Sequence, residues 1–203
     1  MINIYDSAIA KLKEGFKIIL FILLGLASIN GLLAIIYFAV KGFSALSILA
    51  EVLETFISIG IILYVIFAFL AHDKKRLALA ITIDASYIFL LSLKSLGVTV
   101  FNWYGDAVTV FYLIFNLIMV ISYITVGVLV CRNYISGNRE FDGVIKVFSV
   151  IALIAMLFEF VFTVIESARG NLAWYSFVSP FISMAEILIL TVYYFGIMGE
   201  KEE

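Results

Sequence analysis

One cysteine (Cys131), one histidine (His72) and one proline (Pro180) are scattered through 203 residues. A lone cysteine excludes a disulfide within the chain and leaves the redox compartment open. A lone histidine excludes a bis-histidine haem or a histidine-rich zinc site in a single chain. Charge is scarce too: 14% of residues are Asp, Glu, Lys or Arg, and the net charge is −2. With no basic patch to neutralise phosphates, no nucleic acid partner is expected. The sequence also lacks a Gly-rich phosphate loop, an HExxH, a nucleophile elbow and a paired-aspartate phosphotransferase motif. Glu51 and Glu54 form an ExxE, which without histidine says little for metal-assisted hydrolysis. No enzyme, no cofactor and no assignable metal are expected.

What the chain has in excess is apolar surface. Hydrophobic residues make up 65% of it, and the mean hydropathy is +1.17. A soluble domain has nowhere to bury that much, so the lipid bilayer is the expected solvent. Six stretches, at 18–40, 45–71, 77–96, 107–130, 144–165 and 180–198, are each about long enough to cross a hydrocarbon core of ~30 Å. They are apolar on nearly every side, which suits helices and not the alternating pattern of a membrane barrel. The expected fold is all-α: one transmembrane domain over 1–203, a compact six-helix bundle. The first stretch is too long for a signal peptide and lacks a small-x-small cleavage site, so it reads as a retained span.

Ahead of that span, Tyr5, Ile9, Leu12 and Phe16 recur at helical spacing, with Asp6, Lys13 and Glu14 on other faces. The spacing predicts a short amphipathic helix over 1–17, lying at the membrane surface. Of thirteen basic residues, ten fall on one side of the alternating threading: Lys11, Lys13, Lys17, Lys74, Lys75, Arg76, Arg132, Arg139, Lys146 and Lys201. By the positive-inside rule that side is cytosolic, which predicts a cell-membrane protein with both termini in the cytoplasm. Short connectors make consecutive helices antiparallel neighbours. Ala27 and Gly31 form a small-xxx-small pair suited to close helix packing. Asp142 is expected to cap the fifth span. Ser179-Pro180 reads as the start of the sixth, or as a kink in a longer helix. Trp103, Tyr104, Trp174 and Tyr175 fit an aromatic belt at the outer edge.

Ionisable groups inside apolar spans are costly, at about 2.5–3.5 kcal/mol for an aspartate at mid-helix. Glu51, Glu54, Asp84, Glu159 and Glu186 all fall inside the stretches, and Lys94 is the basic residue near them. In the second span Ser47, Glu51, Glu54 and Ser58 share a face, and in the fifth Glu159, Thr163 and Glu166 do so. Asn30 and Asn116 add polar groups from the first and fourth spans. The pattern predicts an acidic cavity between helices, open toward the outside. Glu51, Glu54, Glu159, Glu186, Asn30 and Asn116 are its binding residues; Asp84 and Lys94 stand apart as a coupling or charge partner.

In size, span number and termini the chain is similar in outline to several classes of small transporters, including vitamin-binding subunits of energy-coupling transporters and small cation exporters. The expected function is transport, or substrate binding for a transporter, of a cation, cationic solute or protons. The alternative is an accessory subunit whose carboxylates make interhelical hydrogen bonds with a membrane or cytosolic partner subunit.

Overall fold

The computed structural model describes residues 4–71, 74–170, 172, 176, 178 and 180–184. Among them the chain is helical, without strands: α1 (Ile4–Val40), α2 (Ala45–Leu70), α3 (Lys74–Phe101), α4 (Ala107–Ser136) and α5 (Asp142–Ala168). Each contains a stretch long and apolar enough to cross a membrane, and the protein is accordingly a multi-pass membrane protein. Helices are what such sequences must form in lipid, because every backbone N–H and C=O then finds its partner within the segment. The exteriors are apolar as well: Phe56, Phe67 and Phe101 are each more than two-thirds exposed, a surface suited to acyl chains.

Two expectations about the ends change. No break separates an N-terminal helix from the first span; α1 runs continuously from Ile4 to Val40, with its membrane-length stretch at Phe21–Val40. The shift from amphipathic to apolar sequence near Lys17 changes the solvent a helix prefers, not its backbone geometry. Toward the C-terminus, residues 178 and 180–184 are helical. Residues 185–198 of the expected sixth span, Glu186 included, lie outside the described residues, as do Ser179, Trp174 and Tyr175.

Local chemistry sets the helix boundaries. The Ser44 Oγ accepts from the Ser47 backbone N–H at 3.2 Å, at the start of α2. Asp106 caps α4, accepting from the Thr109 N–H at 2.8 Å and the Thr109 hydroxyl at 2.5 Å. Gly137 ends α4 in the left-handed region, φ 64°, where a residue without Cβ is unstrained. Asp142 is not the cap of α5. Phe141 holds that position, and the Asp142 carboxylate instead takes the Asn133 amide at 3.1 Å and the Arg139 guanidinium at 2.6 Å. A carboxylate inside the first turn still favours the positive helix end, and from there it ties the α4–α5 loop to both helices.

Consecutive helices pack against one another, α1 on α2, α2 on α3, α3 on α4 and α4 on α5. Two glycines set how closely. A Cβ on buried Gly31 would overlap the Thr55 methyl group of α2 and lie 2.8 Å from its hydroxyl, so the small-residue stripe of α1 does face a neighbour. On α4, a Cβ on Gly127 would lie 3.3 Å from the Ala85 Cβ of α3. Ile182 is buried in one core with Leu23, Ile66, Leu77 and Ile145, and Met184 packs against another around Phe115 and Met119. The short helical piece at 180–184 therefore lies within the bundle.

Candidate functional site

A cavity of about 170 Å³ is lined by α1, α2, α3 and the 180–184 piece. Helical periodicity brings its polar lining together. Glu51, Glu54 and Ser58 follow at steps of three and four, so they share one face of α2. Asp84 and Tyr87 do the same on α3, Asn30 comes from α1, and Ser183 from the last piece. The cavity falls short of the ~300–1,000 Å³ of sites for drug-sized ligands, and suits a small solute or a hydrated ion.

Its electrostatics are unbalanced. Glu54 is ion-paired with Lys94, which reaches back from farther along α3 and stays 59% exposed at its side chain. Tyr87 donates its hydroxyl to the Glu54 backbone carbonyl at 3.1 Å, fixing α3 against α2 beside the pair. Glu51 lies one turn before Glu54 and half-buried. Asp84 is buried to 5% exposure and makes no hydrogen bond or ion pair among the described residues. Among the described residues, one ammonium thus accompanies three carboxylates.

Four of the expected binding and coupling residues meet here: Asn30, Glu51, Glu54 and Asp84, with Lys94 tied in through Glu54. Asp84 does not stand apart. The cavity runs along α2 from Glu51 to Ile61, a rise of ~15 Å, and so bridges the difference in depth between Glu54 and Asp84. Ser47 is turned to the end of its helix instead, with its Oγ 2.9 Å from that of Ser44. Thr55 and Tyr87 line the site without a distinctive sequence signal, although Tyr87 lies three residues beyond Asp84.

The remaining polar residues lie on α4 and α5, which pack against each other, and outside the cavity lining. Asn116 is 2% exposed, and its Nδ2 has no hydrogen-bond partner among the described residues. Glu159 is half-buried, and Tyr112 lies within electrostatic reach of both Glu159 and Glu166. Glu166 is buried and ion-paired with Arg169 at 2.9 Å. Stacking of Phe111 on Phe162, with centroids 4.2 Å apart, closes this contact. Neither Asn116 nor Glu159 lines the acidic cavity, and Glu186 is outside the described residues. Among the described residues no three His, Cys, Asp or Glu side chains cluster tightly enough to hold a metal ion.

No family model matches the chain, and neither a curated protein nor a solved structure matches it.

Proposed function

We propose that this protein is an integral membrane transporter, or the substrate-binding membrane subunit of one, and that the α1–α3 cavity takes a small cationic solute, a hydrated cation or protons. The observation that carries this reading is the buried Asp84 carboxylate, which has no hydrogen-bond or ion-pair partner among the described residues and lines the same cavity as Glu51 and Glu54. A carboxylate serving only as packing glue would be hydrogen-bonded to a neighbouring helix. The spread of the acids along the cavity favours a cation that keeps its water, or an organic ammonium group, over an ion gripped directly by three side chains.

In this scheme Glu51 and Glu54 receive the cation, and it competes with Lys94 for Glu54. Asp84 holds it deeper in the bundle, and Asn30 supplies a neutral hydrogen-bonding wall. Cation and proton compete for the same carboxylates, so binding is linked to pH. Glu159 is assigned to the α4–α5 contact, and Asn116 lies outside the cavity lining. The accompanying topology is a cell-membrane protein of six spans, the sixth at 180–198, with cytosolic termini and the start of α1 at the membrane surface. Its support is the distribution of the basic residues.

The test is Asp84→Asn. Purified wild-type protein is titrated with sodium, potassium, magnesium, choline and spermidine, following thermal unfolding, and flux is followed in proteoliposomes. At least one cation should stabilise the wild type saturably, by about 2.7 kcal/mol at a hundred times its Kd. Asp84→Asn should lose that response while melting, cation-free, no lower than wild type, because no hydrogen bond among the described residues is removed. A wild-type response retained in Asp84→Asn, or no response to any of the five, overturns the proposal.

A further inference from the structure

A second opening, of about 460 Å³, lies on the outside of the bundle between α3 and α4. Phe89, Ile124 and Val128 make its walls apolar, and the close approach of Gly127 to Ala85 forms its floor. Two hydroxyls along it, those of Thr82 and Ser86, are already used within their own helix. Thr82 donates to the Ala78 carbonyl at 2.8 Å, and Ser86 donates to the Thr82 carbonyl at 2.7 Å. Along Phe89, Ile124 and Val128 such walls suit an apolar chain better than a polar solute.

One end differs. Arg132 and Ser136 stand there, beside the α4–α5 loop. The Arg132 guanidinium carbon lies 4.4 Å from the Phe141 ring centroid, so the ring covers one face of the guanidinium. Its edge N–H groups make no hydrogen bond or ion pair among the described residues. Arg139 nearby is neutralised by Asp142, whereas Arg132 has no carboxylate partner among the described residues. The groove follows α4 from Tyr123 to Ser136, ~20 Å of helix, enough to cross one leaflet of a ~30 Å hydrocarbon core and reach its headgroups.

We propose that this groove is a binding site for one anionic phospholipid, with an acyl chain along Val128 and Ile124 and the phosphate on the free edge of Arg132. Apolar walls ending in a ring-braced, unpaired guanidinium complement a lipid with net negative charge better than a zwitterionic one, whose ammonium group Arg132 repels. The site is independent of the acidic cavity, which lies on the other side of α3.

Native mass spectrometry of protein reconstituted with equal amounts of phosphatidylglycerol and phosphatidylcholine tests it. The wild type should retain one phosphatidylglycerol in preference to phosphatidylcholine. Arg132→Gln should reduce that preference about fivefold, as expected for one basic residue at the headgroup level. Arg132→Lys should keep most of it, and Val128→Trp, which fills the groove, should lose the bound lipid of either kind. Absence of a wild-type preference, a measurement that needs no variant, overturns the proposal. So does an undiminished preference in Arg132→Gln, or efficient disulfide dimerisation of Val128→Cys in the same bilayers, which would mean that a second copy covers the groove.

Discussion

Lys94 of α3 is ion-paired to Glu54 of α2, so a carboxylate lining the acidic cavity is already held by a cation belonging to the chain. A cation entering as proposed would have to compete with this tethered ammonium, whereas Asp84 has no such partner among the described residues.

Lys94→Gln should therefore tighten cation binding. Half-exposed pairs of this kind are worth about 0.2–1 kcal/mol, which sets the gain at up to about fivefold and keeps the cost in stability small. Titration of the variant with the cation that stabilises the wild type checks this. Unchanged or weakened binding would show that Lys94 is not a competitor.

Gly31 and Thr55 should be coupled. Gly31→Ala places a methyl group where the Thr55 side chain stands and should destabilise by about 1–3 kcal/mol, the usual cost of overpacking. Thr55→Ser removes the methyl group in the way, so the double variant should recover much of the loss. Thermal unfolding of the four proteins in one detergent completes the cycle. Additive losses would show that α1 and α2 do not meet at this pair.

The threading predicts labelling. Cysteines replacing Lys75 and Gly137 in a Cys131→Ser background should be protected from an impermeant maleimide in intact cells, and one replacing Asn171 should react. Reaction of Lys75→Cys from outside would reverse the orientation.

Asp106 gives a pH signature outside the spans. Hydrogen bonds from the Thr109 hydroxyl and backbone N–H hold its carboxyl below the usual carboxylate range. Folding thus favours the charged form, and its contribution is present above that range and fades as pH falls through the depressed value. Asp106→Ala should melt lower than wild type at neutral pH. The gap should persist down to about pH 5 and narrow only below about pH 4. Asp106→Asn, itself a good cap, should lie between the two. A gap independent of pH down to the acid limit would count against the cap's charge.

The starts of α2 and α4, at Ala45 and Ala107, were legible because apolar runs begin there directly after polar connectors. The ends of α3 were not. Lys74, Lys75 and Arg76 at one end and the residues beyond Leu96 at the other continue the helix, since leaving hydrocarbon does not require leaving helical geometry. The cap of α5 was misread for a related reason: Asp suits the cap and the first turn alike, and the reach of Arg139 and Asn133 decided between them.

By itself, the sequence determined the class of the molecule, because hydrophobic length and the demand for internal backbone hydrogen bonding leave a chain this apolar only the membrane helix. It also identified the costly residues, since a carboxylate within an apolar run stands out wherever the helix packs. Which of them meet was decided by tertiary structure. Periodicity gives the face of one helix but neither its rotation against a neighbour nor its offset in depth. Those were set by packing at Gly31–Thr55 and Gly127–Ala85, which brought Asp84 to Glu51 and Glu54 and left Glu159 with α4.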